Sequence, residues 1–237
     1  MVSVTLVQQA NRSRPTLTRR RFGAGFLALS TSVVVSPKRM LNAQDSKNIP
    51  VMAPNPRLHS FIGSHDGPWE VISNRAIIGE RLPDAKRLAY LPGNAVPTAP
   101  ASSWILRGAT SNERYVTRAE KDGLLAKQPA LGRAEANCAV LIPIKKNPQW
   151  WALTQAERRE IFEEQSHHNQ IGMDYLPAIA RRLHHCRDLS ETEPFDFLTW
   201  FEFAEKDTES FDSLLIRLRA TKEWKYVERE TEIRVRR

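Results

Sequence analysis

Residues 195–203 read Phe195-Asp196-Phe197-Leu198-Thr199-Trp200-Phe201-Glu202-Phe203 and alternate with a period of two. The odd positions Phe195, Phe197, Thr199, Phe201 and Phe203 fall on one side of an extended chain, and Asp196, Leu198, Trp200 and Glu202 on the other. That pattern predicts a strand. The period then changes. Phe211, Leu214, Leu215 and Leu218 follow the i, i+3, i+4, i+7 spacing of a helix that lays one stripe on a core. Thr231, Ile233 and Val235 alternate again and predict a terminal strand.

Upstream of Phe195, Leu183–Cys186 is a strand candidate. Thr154-Gln155-Ala156-Glu157 fits a capping box and predicts a helix running through Phe162 into His167-His168, with Pro177 and its neighbours marking its end. Ala139–Ile144 (AVLIPI) is rich in branched side chains and reads as a strand. The order from Ala139 is therefore strand, helix, strand, strand, helix, strand, the split βαβ or ferredoxin-like unit. In the first half, apolar groups over Leu58–Ile72 are broken by Gly63, Gly67 and Pro68 and suggest one strand with a bend. Residues 91–102 are a Pro-rich loop, Ser103–Ala109 a strand and Ala119–Lys127 a short helix. These elements make a reduced copy of the same unit. The fold class expected is α+β, a ferredoxin-like barrel of two joined units: a reduced subdomain at 57–135 and a full one at 136–237.

The chain has 35 Lys and Arg against 27 Asp and Glu, a formal charge of +8. Such an excess ordinarily points to nucleic acid. Here seven basic residues and no acidic one lie within residues 1–43, and the rest of the chain is near neutral, so no nucleic-acid partner is expected. Thr18-Arg19-Arg20-Arg21-Phe22 precedes a 13-residue apolar run from Gly23 to Val35. The run is shorter than the ~20 residues of a membrane span and has the length of a signal-peptide core. Residues 1–43 read as a twin-arginine export signal cleaved after Ala43, and 44–56 as a linker, which implies a periplasmic protein without stable membrane insertion. Cys138 and Cys186 form no local motif, so neither a zinc finger nor a c-type haem attachment is present.

Three groups stand out for chemistry. His167 and His168 lie in a polar helical segment, Arg181 opens Arg181-Arg182-Leu183-His184-His185, and Glu223 precedes Trp224. A carboxylate on the Nδ1–H of an imidazole makes it an electron-rich metal ligand. A guanidinium is a permanent cation with a planar fork suited to an oxyanion. His168 and Arg181 are thirteen residues apart, so at about 100° per residue one continuous helix would turn them to nearly opposite sides. A helix followed by a strand would let them approach one ligand from two faces. By themselves, paired histidines, an Arg-Arg pair and a carboxylate beside a tryptophan are more often solvated. A four-histidine zinc site from His167-His168 and His184-His185 suffers from poor tetrahedral spacing. On strand His184-His185 only one side chain is expected to face inward, and His59 and His65 read as surface or loop residues.

Residues 147–189 (NPQWWALTQAERREIFEEQSHHNQIGMDYLPAIARRLHHCRDL), 194–203 (PFDFLTWFEF) and 220–230 (ATKEWKYVERE) resemble the short, N-terminally truncated branch of the chlorite dismutases, in order from about Phe61 to Arg234. The resemblance implies a haem b enzyme that turns chlorite into chloride and dioxygen. Its proximal haem ligand falls on His168, the thirteen-residue step to the arginine favouring it over His167. The carboxylate on that imidazole falls on Glu223 and the distal arginine on Arg181. Leu183, Thr199 and Phe201 match the distal pocket, Trp150 and Trp151 a tryptophan pair beside the haem, and Tyr115 and Lys146 contacts on the propionate side. Arg181 would retain hypochlorite while it attacks a ferryl oxygen. The chain departs from some long members in having Glu230 where they have tryptophan. The branch implies a homodimer. Related coproheme decarboxylases typically have Gln at the arginine position, and a haem carrier or sensor of the same fold is the remaining alternative.

Overall fold

The computed structural model describes residues 55–93, 102–110 and 114–237, so the signal segment 1–43 and most of the linker lie outside the described residues. Val51–Arg237 forms one compact unit. Its strands are β1 (Leu58–Ser64), β2 (Trp69–Ile78), β3 (Arg87–Pro92), β4 (Trp104–Ala109), β5 (Cys138–Lys146), β6 (Ala180–His185), β7 (Phe197–Phe203) and β8 (Val227–Arg236). They close a barrel in the order β1-β3-β2-β8-β5-β7-β6-β4, with every neighbouring pair antiparallel. Within β5–β8 the order is fourth, first, third, second, which is the ferredoxin-like order. β1–β4 repeat it. A short turn replaces the first helix of that copy, so the N-terminal unit is reduced, as expected. Closure at β4 and β6 rests on the pairing of Ala109 with His185. There Gly108 gives the room, since a Cβ on it would lie 2.7 Å from the Cβ of His184.

The helices are α1 (Arg118–Lys127), α2 (Pro148–Ala152), α3 (Gln155–Arg159), α4 (His168–Met173) and α5 (Thr208–Arg219). None among the described residues is long and apolar enough to cross a membrane. Two cores result. Phe61, Leu88, Leu141, Leu198, Trp200 and Ile233 fill the barrel. Val140, Ile142, Phe201 and Phe203 on the outer sheet face pack against Phe211, Leu214, Leu215 and Leu218 of α5. β7 is thus buried on both faces, and the period-two split separates the cores over Phe197–Phe203; Phe195, expected with the odd residues, packs in the barrel core instead, because the strand begins only at Phe197.

The sequence reading differs from the structure at several points. The expected bent strand over Leu58–Ile72 is two strands, because the chain reverses at Gly67, whose φ of +147° and close approach to the Leu88 carbonyl exclude a side chain. β3 was not expected. His59 lies on β1 and is buried, with its ring stacked on Tyr90. On β6 the expected alternation holds, His184 facing the barrel and His185 the opposite side, yet both are buried because Phe197 and the cavity wall also cover the outer face.

Candidate functional site

The helix announced by Thr154 is interrupted, and the interruption builds the site. The capping box forms, with Glu157 N donating to Thr154 Oγ1 at 3.2 Å and Thr154 N to Glu157 Oε2 at 2.7 Å. After α3 the ladder widens to a π-turn over Glu160–Glu164, a deviation often found at functional sites. His167 then adopts a left-handed conformation with φ of +52°. α4 restarts at His168 without a side-chain cap from His167; instead the Glu163 carboxylate accepts from Asn169 N at 2.8 Å. The break frees Ser166, whose Oγ accepts from Glu223 N at 3.0 Å. It also separates the paired histidines. His167 is exposed, and the His168 ring stacks on Phe162 with centroids 4.2 Å apart.

His168 Nδ1 lies 2.7 Å from Glu223 Oε2. A carboxylate can only accept, so Nδ1 carries a proton, and Nε2 is the nitrogen left to bind a ligand. The other carboxylate oxygen, Oε1, accepts from Lys146 Nζ at 2.8 Å. Both members of that pair are buried, and the ammonium also sits 4.7 Å above the Trp150 ring. Burial alone would push the Glu223 carboxyl up, but Lys146 and His168 outweigh it and hold the group down at about 2. The resemblance put Lys146 toward a cofactor's carboxylates; its ammonium is committed to Glu223 instead.

Removing one partner of a buried ion pair leaves the other uncompensated. Lys146→Met is therefore expected to cost ~3–5 kcal/mol of stability, measured by denaturant unfolding. The stability that comes from the depressed Glu223 carboxyl is present above the ordinary range near ~4.3 and is lost as pH falls toward about 2. Without the ammonium that depression shrinks, so the acid limb of the variant's stability profile should move to higher pH. An unchanged limb would show that Lys146 does not hold the carboxylate.

His168 and Glu223 border a cavity of about 320 Å³ between the helices and the outer sheet face. Tyr115, Lys146, Trp150, Arg181, Leu183, Thr199 and Phe201 line the same cavity. Trp151 does not. Its indole donates to Asp196 at 3.2 Å, and its ring lies between the guanidiniums of Arg158 and Arg187 at 5.0 and 4.2 Å. Of the tryptophan pair, Trp150 faces the cavity and Trp151 braces α2. Tyr115 takes a left-handed conformation, and its carbonyl accepts from Arg159.

Arg181 stands on β6 opposite Phe201 of β7. Its guanidinium packs beside Gly172, 3.6 Å from where a Cβ would be, on the same α4 face as His168 one turn earlier. Among the described residues that guanidinium makes no hydrogen bond and no ion pair. Burial lowers its pKa, offset in part by the charge of Glu163, yet a guanidinium stays protonated. An unpaired cation facing a largely apolar cavity can receive an anion.

Sequence reasoning missed Phe162, which orients the imidazole, and Ile142, Ile144 and Phe197, which continue the apolar wall. It also missed His185, buried on the cavity wall and held neutral down to about 4, first by burial and then by the charge of Arg114. The β7 register finds the wall, because Phe197 and Ile144 are cross-strand partners on the same face as Phe201.

A prosthetic group fits these residues. Trp150 Nε1, Asn169 Nδ2 and His185 Nδ1 are buried nitrogens on cavity-lining side chains with no partner among the described residues, a costly condition unless something else satisfies them. Among the described residues no group of three or more His, Cys, Asp or Glu could hold a bare metal ion. A single carboxylate-braced imidazole suits a metal whose remaining ligands come from a macrocycle.

The sequence profile described as chlorite dismutase matches residues 97–237, more than half of the chain. A chlorite dismutase of Ideonella dechloratans is 35% identical over 88 residues, which cover 37% of this chain and 28% of that relative. The alignment thus spans little more than a quarter of that relative's length. The crystal structure of dimeric chlorite dismutases from Nitrobacter winogradskyi is similar with a TM-score of 0.70 at 51% identity, over 76% of this chain and 99% of that one. A chlorite dismutase variant of Candidatus Nitrospira defluvii in complex with cyanide shares the fold, with a TM-score of 0.57 at 19% identity, over 76% of this chain and 90% of that one. With the profile and the Nitrobacter relative both covering most of the barrel, the chain belongs to the chlorite dismutase family.

Proposed function

We propose that this protein is a haem b enzyme that converts chlorite to chloride and dioxygen with formation of the O–O bond. One observation carries the reading: a carboxylate-locked imidazole and a guanidinium without a protein partner border the same cavity. Haem, when bound, supplies the iron at which oxygen is transferred from chlorite. His168 would hold it through Nε2, and the Nδ1 proton donated to Glu223 makes the imidazole a stronger donor. Lys146 compensates the buried carboxylate, so Glu223 stays ionised. Arg181 attracts the oxyanion and can hold it through two parallel N–H donors. Leu183, Thr199 and Phe201 line the cavity and, with the prosthetic group in place, would restrict water, which would strengthen that attraction.

Chlorite-dependent oxygen release, followed with an oxygen electrode on the haem-loaded protein, tests the reading. Stoichiometric dioxygen per chlorite is expected. Haem uptake without oxygen release would favour a carrier or sensor. A coproheme decarboxylase-like enzyme would instead consume coproheme, and Arg181 departs from the Gln typical of that group.

We also propose a periplasmic location by the twin-arginine route and a homodimer, the latter supported by the dimeric Nitrobacter relative. Replacing Arg19 and Arg20 by Lys should leave precursor in the cytoplasm, and normal export of that variant would remove the assignment. A monomer mass in sedimentation would remove the dimer.

A further inference from the structure

Leu183 and Thr199 form part of the cavity wall, and the residues that follow them on β6 and β7, His184 and Trp200, point into the barrel and are fully buried. His184 has both ring nitrogens engaged. Nδ1 is 3.0 Å from the Leu198 carbonyl oxygen and Nε2 is 3.2 Å from the Tyr90 hydroxyl. The carbonyl can only accept, so Nδ1 carries the proton, Nε2 is a lone pair, and Tyr90 donates to it. Arg182 Nη1 donates to the same phenol oxygen at 3.3 Å. The Tyr90 ring stacks on Phe61 with centroids 4.8 Å apart and on Trp200 at 5.6 Å. Trp200 in turn meets Trp69 edge-on at 5.4 Å and donates its indole N–H to the buried Glu202 carboxylate at 2.8 Å. The proposed reaction uses none of these groups, and hydrocarbon would fill the space without the cost of burying them.

We infer that Tyr90 is a redox-active tyrosine, which gives one electron to a strong one-electron oxidant formed in the cavity while its phenolic proton passes to Nε2 of His184. The O–H bond breaks and an N–H bond forms. Tyr90 becomes a neutral phenoxyl radical, His184 an imidazolium, and the oxidant is reduced by one electron. A base already hydrogen-bonded to the phenol is what this step requires, because losing the electron alone would leave a cation radical on a half-buried ring packed against the apolar barrel core. Burial keeps both partners neutral beforehand: it raises the phenol, and it lowers His184 to about 3. The groups around the pair are Arg182, His59, His185 and Glu202. Arg182, together with His59 and His185 when they are charged, disfavours the imidazolium, so the proton returns when a small-molecule reductant restores the electron. The device would drain oxidising equivalents left in the cavity without substrate. That role rests on the haem reading; the redox pairing of Tyr90 with His184 does not.

The test has two arms, both using the full chain with ring-deuterated tyrosine and freeze-quenched electron paramagnetic resonance. In the first, haem-loaded protein is oxidised with peracetic acid; in the second, haem-free protein is oxidised with photogenerated ruthenium(III) tris-bipyridine. A deuterium-sensitive tyrosyl signal is expected in both. Tyr90→Phe should lose it in the first arm and lose the Tyr90 contribution in the second. His184→Gln, which keeps Tyr90 but offers no base, should lose most of it together with its solvent isotope effect. Identical spectra for wild type and Tyr90→Phe in both arms would overturn the inference. A Tyr90 signal in the photochemical arm, with no haem bound in the other, would uphold the pairing and count against the haem reading alone.

Discussion

Arg181→Ala is expected to take up haem and still react with chlorite, yet to release hypochlorite, bleach its own cofactor and stop turning over early. The expectation comes from the unpaired state of the guanidinium. Because Arg181 makes no direct ion pair among the described residues, and the nearby buried Glu163 carboxylate keeps its hydrogen bond from Asn169 N, the fold should tolerate the change. What is lost is one charge-assisted contact to the oxyanion, worth ~1.5–3 kcal/mol, which implies roughly ten- to hundred-fold poorer retention. Arg181→Lys should fall between, since an ammonium keeps the charge and loses the planar fork. The measurement is oxygen yield per chlorite with and without a hypochlorite trap. Equal yields and lifetimes for wild type and Arg181→Ala would show that the guanidinium is not the anion-holding group.

His168→Ala should lose most bound haem, whereas His167→Ala should keep the spectrum of the wild type. The two neighbours differ because His167 occupies the left-handed link between the π-turn and α4 and is exposed, while the His168 ring is clamped between Phe162 and Glu223. Haem titration of both variants, read in the Soret band, decides the matter. If His167→Ala lost the cofactor and His168→Ala kept it, the imidazole in the cavity would not be the ligand.

Much of this architecture could be read from residue order. β7 and α5 were legible because each carries its full period: the β7 alternation separates two cores, and the α5 stripe covers one of them. The capping box at Thr154 was legible because it is local. β3 was not, since Arg87–Pro92 is only partly buried and its pairing with both β1 and β2 is a long-range matter. The break between α3 and α4 was also hidden. It depends on Glu163 capping Asn169 and on Ser166 reaching Glu223, contacts that no spacing rule encodes. Lys146 and Trp151 illustrate the same limit from the side-chain end. Each lies beside the residues expected of it, yet the Glu223 carboxylate claims one and the Asp196 carboxylate the other.

The two-sided burial of β7 bears on how such a protein can change over time. Leu198 and Trp200 belong to the barrel, and a substitution there is paid in stability by the whole domain. Thr199 and Phe201 face the cavity, where a change of size or polarity alters what the cavity admits and leaves the barrel packing in place. Phe197, Thr199 and Phe201 are therefore open to selection on chemistry, while the even positions, and Phe203 against Phe211, are held by selection on folding. Drift in substrate preference within this barrel should accumulate at every second residue of the strand, a rhythm that a comparison of diverged copies could detect.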